Sequence, residues 1–371
     1  MPTLVDAQEA LSEENGVLAA LNIAYKNDSN VQRNGLGRSD DLVAISPDIA
    51  YTNYFGKHAL NVGYSGEYTR FSDQSNLNFE NHSVLGSLAF DHSLRFTSKI
   101  TGSLQKGVED PSQVNSLINN FEEFTKFKKA AINGEFAYGR KESIGQIVIG
   151  VDAANADYDN NQQEFRNMDS IGAYTQFFYR VAPNTRAVVE VSYYDYDYDD
   201  VENFLNQSSQ QASLLAGLEW IYSDQLSTSF RAGYQTKNFE DVTLNKVDGL
   251  SFALEVVWQP TEHTNFDVEG SRSASESTIA GLPERVSTSI SVNAEHELTQ
   301  RLRGYGSYVY AIDDFGARKD TNNDAKVGIT YGVKHWLDVT LEYQYQERDS
   351  AFENFSYNAN VVMLSFEMAI D

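Results

Sequence analysis

Residues 337–346 alternate between apolar and polar side chains without a single slip. The apolar members are Leu337, Val339, Leu341, Tyr343 and Tyr345, and the polar members are Asp338, Thr340, Glu342, Gln344 and Gln346. A period of two residues is that of a β-strand whose two faces meet different surroundings. Two architectures fit: a soluble sandwich with one face in a core, or a transmembrane barrel with one face in lipid and the other in a wet lumen.

The same alternation begins near Gly16 and continues to the C-terminal end of the chain. Leu21 and Ile23 mark the first strand, and Val362 and Leu364 mark the last. The pattern predicts about 18 strands, each long enough for the roughly 9–11 residues that a tilted membrane-spanning strand needs.

The connections between these strands fall into two classes. Eight are tight turns, at 55–57, 91–93, 139–141, 182–184, 223–224, 260–262, 298–300 and 334–335. The others are longer and polar, at 28–40, 72–81, 107–124, 157–167, 197–208, 237–245, 274–284, 312–324 and 347–354. Short turns on one rim and long loops on the other are typical of bacterial outer-membrane barrels, whereas sandwiches and β-helices do not sort their connections in this way.

The sequence therefore predicts an all-β protein with one transmembrane, antiparallel, up-and-down β-barrel of about 18 strands. Its short turns are expected to be periplasmic and its long loops extracellular. The barrel is expected to span residues 16–371, after a flexible periplasmic N-terminal leader over residues 1–15.

Composition narrows the function classes. The 371 residues contain no cysteine and six histidines, which excludes disulfides and thiolate metal sites, so no metal and no cofactor is expected. The net charge of −25 argues against nucleic acid as a partner. No secretory signal is visible at Met1, so we expect the numbering to begin near a mature N-terminus.

Aromatic residues support a membrane location. Trp220, Trp258 and Trp336 all lie beside predicted tight turns. Tryptophan and tyrosine concentrate at the two interfaces of a membrane, so this placement predicts an aromatic girdle at the turn side of the barrel.

The run of hairpins, the second strand Ile45–Tyr51 and the ending Tyr357–Phe366 together resemble the type-2 β-barrel porins. These are outer-membrane barrels encoded with exopolysaccharide synthesis machinery. The resemblance implies an outer-membrane pore through which an exopolysaccharide is secreted. It also implies a partner, a periplasmic polysaccharide-export protein without a membrane span of its own. The ending Met368–Asp371 departs from the usual pattern, because outer-membrane proteins usually end on an aromatic residue. In this chain, Phe366 is expected to take the place of that terminal aromatic residue.

The lumen is the predicted site. The residues placed on the inward register are Glu67, Arg95, Lys99, Glu135, Asp152, Arg180, Arg186, Glu190, Glu219, Arg231, Glu255, Lys326, Asp338 and Glu342. Their mixed signs suggest salt-bridge networks on a wet lining with groups that can contact a sugar polymer. The alternative is that the pairs only satisfy a polar interior.

The longest loop, 107–124, contains a helix signature. Asp110 can cap a helix, and Pro111 suits its first position. We predict a constriction or plug that presents Asn115, Asn119, Glu122 and Glu123 to the channel. The alternative is a short helix lying on the outer rim.

Other function classes remain open at this stage. The main alternative is a general diffusion or substrate-specific uptake porin, and a structural or adhesive barrel is the third. The basic lumen residues are scattered in the sequence, which favours secretion over uptake. Catalysis is not expected, since only His82 of the histidines lies on the outer side. Outer-membrane lipid and lipopolysaccharide are the other expected partners.

Overall fold

The computed structural model describes residues 15–112, 122–199, 202, 204–279 and 282–370. Within these residues, eighteen β-strands form one antiparallel sheet. They are β1 (Gly16–Asp28), β2 (Asp40–Phe55), β3 (His58–Phe71), β4 (Phe79–Asp91), β5 (Phe96–Val108), β6 (Lys126–Tyr138), β7 (Gly145–Tyr158), β8 (Met168–Ala182), β9 (Thr185–Tyr198), β10 (Ser209–Ser223), β11 (Leu226–Phe239), β12 (Val247–Thr261), β13 (Thr264–Ile279), β14 (Leu282–Thr299), β15 (Leu302–Asp314), β16 (Lys319–Lys334), β17 (Leu337–Ser350) and β18 (Tyr357–Ile370).

Each strand pairs with its neighbours in sequence, and β18 pairs with β1 to close the sheet. Closure leaves none of these eighteen strands with an unpaired edge. The predicted up-and-down barrel of about 18 strands is confirmed. The predicted leader, residues 1–15, lies outside the described residues except for Asn15.

The two rims differ as predicted. Residues 56–57, 92–95, 139–144, 183–184, 224–225, 262–263, 300–301 and 335–336 connect strands at one end, the turn rim. The other end, the loop rim, carries the connections 29–39, 72–78, 109–125, 159–167, 199–208, 240–246, 280–281, 315–318 and 351–356.

Two predicted loops are wrong. The predicted loop 274–284 is occupied mostly by β13 and β14, and the predicted loop 312–324 reduces to the connection 315–318. The reason is that polar residues suggested a loop, whereas here they occupy inward positions of strands. Asp320, for example, faces Asp313 across the β15–β16 ladder and pairs with Arg318 at 2.7 Å.

The outward face of the barrel is apolar between the rims. Leu104 and Ile132 are 61% and 55% exposed, as expected for side chains that meet lipid. The three tryptophans lie at the turn rim and are 44–45% exposed. Among the described residues, no helix is long and apolar enough to cross a membrane.

The loop rim is partly filled by apolar side chains. Val31, Leu77 and Phe124 of three loops pack against Leu42 of β2 and Phe71 of β3. Leu42 and Phe71 are cross-strand partners on the inward face. The loops 29–39 and 72–78, and loop 109–125 at Phe124, are therefore held against the inside of β2 and β3.

Candidate functional site in the barrel lumen

The strand ladders place the predicted lining residues. All of them except Arg95 share the strand face opposite to the exposed apolar side chains, which is the inward face: Glu67, Lys99, Glu135, Asp152, Arg180, Arg186, Glu190, Glu219, Arg231, Glu255, Lys326, Asp338 and Glu342. Arg95 lies in the turn 92–95 and is exposed at the turn rim.

Four of these residues form one chain of alternating charge across β9, β10 and β11. Arg186 binds Glu219 through two of its nitrogens, Nε at 3.1 Å and Nη2. Arg231 reaches Glu219 at 3.5 Å and Glu190 at 2.8 Å. The arginines predicted to be scattered are thus drawn together here and neutralised by carboxylates.

Three inward tyrosines lie flat against the wall over glycines. Tyr174 on β8 covers Gly150 on β7, and its hydroxyl donates to Glu135 on β6 at 3.0 Å. A Cβ atom at Gly150 would come within 2.1 Å of the Tyr174 ring. Glycine on the facing strand is what allows the ring to lie along the wall instead of across the lumen.

The same arrangement occurs twice more. Tyr194 covers Gly172 and donates to Asp152 at 3.2 Å. Tyr305 covers Gly328 and donates to Glu342 at 2.6 Å. Glu135, Asp152 and Glu342 were predicted from the register, whereas the tyrosine–glycine pairs were missed. They could have been found only by aligning neighbouring strands, which the sequence alone does not fix.

The opposite part of the wall, β11–β15, carries small hydroxyl side chains. We call these inward-facing residues the serine band: Ser229, Ser251, Ser271, Ser273, Ser287, Ser289, Ser291 and Ser307. Ser271 and Ser289 are cross-strand partners whose hydroxyl oxygens lie 3.0 Å apart. Sequence analysis missed this band, although serine at every second position of 271–275 and 287–291 was a visible signal.

Carboxylates border the serine band. Glu255 and Glu269 are direct cross-strand partners, both exposed to the lumen. Neither has an ion-pair partner among the described residues. Beyond the band, Asp338 of β17 and Glu367 of β18 also face one another directly, although Asp338 has Arg303 as an ion-pair partner at 3.8 Å. Like charges in direct opposition repel, so this wall presents a negative potential to the channel.

The described ends of loop 109–125 are attached at several points. Arg166 of loop 159–167, itself buried, binds Glu109 at 2.8 Å and Tyr158 at 2.8 Å. On the other side, the Asn76 side chain donates to the carbonyl of Glu122. At the start of the loop, the Arg348 guanidinium of β17 donates to the Ser112 carbonyl at 2.6 Å.

The predicted constriction residues have different outcomes. Asn115 and Asn119, and most of the predicted helix, lie outside the described residues. Glu123 binds Lys126 at 2.6 Å and accepts from Asn160 at 2.8 Å, so its carboxylate belongs to the loop rim and is not a free channel-facing group. Lys126 first and Asn160 second hold the pKa of Glu123 below its ordinary value. Glu122 is exposed.

No group of three metal-ligating side chains occurs in the described part of the chain. His82 lies on the outward face of β4, where its Nδ1 is 3.0 Å from the Tyr64 hydroxyl.

Comparison with known proteins gives a family and a fold. The family described as "Putative beta-barrel porin 2" matches residues 17–369. OccAB4 of Acinetobacter baumannii is similar in structure, with a TM-score of 0.50 and 11% identity over 97% of this chain and 99% of that chain. A BenF-like porin from Pseudomonas fluorescens Pf-5 has a TM-score of 0.50 and 11% identity over 96% of this chain and 99% of that chain.

A structure described as a bacterial polysaccharide outer membrane secretin has a TM-score of 0.40 and 10% identity, covering 95% of this chain and 99% of that chain. No curated protein matches the chain. At these identities the structural likeness establishes only the fold, which is that of outer-membrane porins.

Proposed function

Because the chain belongs to the putative beta-barrel porin 2 family, we propose that it is a bacterial outer-membrane pore through which a secreted exopolysaccharide leaves the cell. Its partner is a periplasmic polysaccharide-export protein that docks at the turn rim. The barrel takes no catalytic part in this process. Its role is to offer a wet path through a lipid layer that a polar polymer cannot cross.

The observation that carries this proposal is the asymmetry of the lumen. The longer loops, such as 109–125 and 159–167, connect strands between β1 and β10, whereas 280–281 and 315–318 on the other side are short. The serine band lies under these short connections. Small side chains leave room for an extended chain, and hydroxyls and carboxylates exchange hydrogen bonds with sugar hydroxyls at little cost.

The charge of this path also favours a particular class of polymer. Arg186 and Arg231 are paired with carboxylates, whereas Glu255 and Glu269 are unpaired among the described residues. An anionic polymer would meet a negative potential along the serine band. The proposed polymer is therefore neutral or carries amino groups.

Loop 109–125 is proposed to narrow the mouth of this path. The contact between Arg348 and Ser112 supports this role, because β17 lies far from β5 and β6 in the sheet. Deleting residues 112–122 should then raise single-channel conductance. An unchanged conductance would leave the loop as a cover on the outer rim.

The alternative function is a general diffusion or substrate-specific uptake porin. The experiment that separates the two is a deletion strain assayed for surface polysaccharide, with the wild-type gene supplied back. Loss of secreted polymer, with material retained in the periplasm, is the expected result. A second complementing gene, carrying Ser271→Phe and Ser289→Phe, should produce a folded barrel. It should not restore secretion of the polymer. Normal secretion in the deletion strain would overturn the export role and favour uptake.

A further inference from the structure

Three lines of inward residues repeat one arrangement across neighbouring strands. In each line a tyrosine, a glycine and a carboxylate are cross-strand partners in turn, and the tyrosine hydroxyl reaches across the glycine to the carboxylate two strands away. We call these lines the tyrosine triads: Tyr174, Gly150 and Glu135; Tyr194, Gly172 and Asp152; and Tyr305, Gly328 and Glu342. One face of each ring therefore lies on the glycine, and the other face is turned towards the lumen.

The first two rings are packed against other side chains of the inner wall. Tyr174 packs against a buried apolar cluster that includes Phe178 and Val188. Tyr194 is stacked with Tyr196, with 6.3 Å between the ring centroids and an angle of 22° between the ring planes. Because protein side chains already pack on them, these two rings are part of the wall between β6 and β9 and offer no free surface for a ligand.

The ring of Tyr305 differs from the other two. Among the described residues it has no aromatic or cation–π partner, and it belongs to no buried apolar cluster. Its hydroxyl donates to Glu342 at 2.6 Å, so the orientation of the ring is fixed while its lumen face stays open. Tyr305 lies close to the start of β15 at the turn rim, and Ser307 of the serine band follows it on the same strand face.

Hydrogen-bonding groups surround the open face of Tyr305. Glu295 is its cross-strand partner on β14 and is exposed to the lumen. Ser307 has Lys326 of β16 as its cross-strand partner. The tyrosine hydroxyl contacts only one oxygen of Glu342, and a carboxylate accepts hydrogen bonds through both of its oxygens. The site therefore combines a flat apolar surface with donors and acceptors at its edge.

Charges of both signs occur around Tyr305. Arg303 lies 3.9 Å from Glu295, and Lys326 lies on the strand between Tyr305 and Glu342. A charged sugar residue would meet a like charge here as well as an opposite one. A hydroxyl group, in contrast, donates to the carboxylates and accepts from the cations. The site therefore favours a neutral sugar over a charged one.

A pyranose ring is the ligand that fits this arrangement. The face of an aromatic ring carries partial negative charge, and the C–H groups on one face of a pyranose ring carry small positive charges, so the two faces attract each other. We propose that Tyr305 is a stacking platform for a neutral sugar residue of the transported polymer. The partners of the sugar hydroxyl groups are then Glu295, Ser307, Lys326 and Glu342. This inference rests on the proposed passage of a sugar polymer, but not on the direction of passage.

The test is block of the single-channel current by maltohexaose, a neutral glucose oligosaccharide, with the purified full-length protein in planar bilayers. The dissociation constant of the block follows from its dependence on maltohexaose concentration. Tyr305→Leu removes the flat ring but keeps an apolar side chain over Gly328. It should raise the dissociation constant about fivefold, which corresponds to about 1 kcal/mol. Tyr305→Phe keeps the ring and should be blocked like the wild type.

The matched control is Tyr174→Leu, because Tyr174 belongs to a triad of the same geometry whose ring is already packed against protein. This variant should be blocked like the wild type. If Tyr305→Leu does not fold, Ser307→Ala tests the same site with a smaller change. It removes one hydroxyl at the edge of the platform and should raise the dissociation constant about threefold.

Two results would overturn the proposal. One is equal block of the wild type and of the variants at Tyr305 and Ser307, and the other is equal weakening in Tyr305→Leu and Tyr174→Leu. A wild-type channel that maltohexaose does not block would overturn it as well, without touching the export role. Normal secretion in the deletion strain would overturn the export role, whereas the block measured on the purified protein would stand. The two proposals therefore fail separately.

Discussion

The guanidinium of Arg348 donates a hydrogen bond to the backbone carbonyl of Ser112 at 2.6 Å. Arg348 belongs to β17, whereas Ser112 belongs to the loop between β5 and β6. In the sheet, β18, β1, β2, β3 and β4 separate these strands. A contact of this kind cannot form along the wall, so the start of the loop reaches across the mouth of the barrel.

Replacing Arg348 by alanine should release this attachment. The carbonyl of Ser112 loses its charged donor, and a hydrogen bond to a charged group is worth about 1.5–3 kcal/mol. We expect a higher and noisier single-channel conductance in planar bilayers. Arg303→Ala is the control, because Arg303 is also inward but its ion-pair partners, Glu295 and Asp338 at 3.9 Å and 3.8 Å, belong to strands. An identical change in both variants would argue against a role of the loop.

The sequence predicts the barrel but not the arrangement of its loops, and the reason is physical. A period of two residues determines which side chains face lipid, so the alternation alone places Glu219 and Arg231 on the inward face. The sequence of a polar loop does not determine which part of the barrel wall the loop contacts. The contact of Leu77 and Phe124 with β2 and β3 depends on three separate loops meeting.

The predicted boundaries of some strands were also wrong, because polar residues were expected to lie in loops. Asn322 and Asp324 lie in a stretch with the composition of a loop, yet both face the lumen from β16. In a barrel with a wet interior, a polar residue on the inward register is as compatible with a strand as an apolar residue on the outward register.

Gly150→Ala should disturb the inner wall. The new methyl group would meet the Tyr174 ring at 2.1 Å, so the ring must swing into the lumen. Glu135 then loses the hydroxyl donor, and we expect a stability loss of about 1–3 kcal/mol and a lower conductance. Urea unfolding in lipid and single-channel recording measure the two effects.

Gly86→Ala is the control for this prediction. A Cβ atom at Gly86, which also lies within a strand, would meet nothing within 4 Å. This variant should unfold like the wild type. Tyr174→Phe completes the set, because it keeps the ring over Gly150 and removes only the hydrogen bond to Glu135. If Tyr174→Phe and Gly150→Ala gave the same conductance, the ring would not have moved.

Glu219 should matter more for stability than Glu255. Glu219→Gln leaves the Arg186 guanidinium with a neutral partner and leaves Arg231 with Glu190 as its carboxylate, at a cost of about 1–3 kcal/mol. Glu255→Gln removes one of two directly opposed carboxylates, so its effect should be neutral or slightly stabilising. Unfolding in urea distinguishes the two. Equal losses of unfolding free energy in the two variants would contradict the ion pairs described for Glu219.

The negative potential of the serine band should make the pore cation-selective. The double variant Glu255→Gln, Glu269→Gln should lower the ratio of K⁺ to Cl⁻ permeability. Its reversal potential in a KCl gradient should move towards zero, and this difference should shrink at high salt as screening increases. Lys246 and Asp248 at the loop rim provide a charge-neutral control pair, and replacing both with glutamine should leave selectivity unchanged.

The ion pair at the base of loop 109–125 should weaken in acid. Lys126 and Asn160 hold the pKa of Glu123 below its ordinary value of 4.5, so the stabilisation is present above 4.5 and is lost as pH falls through the lower, folded-state pKa. Because both side chains are about half exposed, the effect should stay under about 1 kcal/mol. Glu123→Gln imitates the protonated carboxyl. Wild type should be more stable than this variant at neutral pH and equal to it in acid, as measured by urea unfolding at each pH. A difference that persists in acid would show that the charge of Glu123 is not the cause.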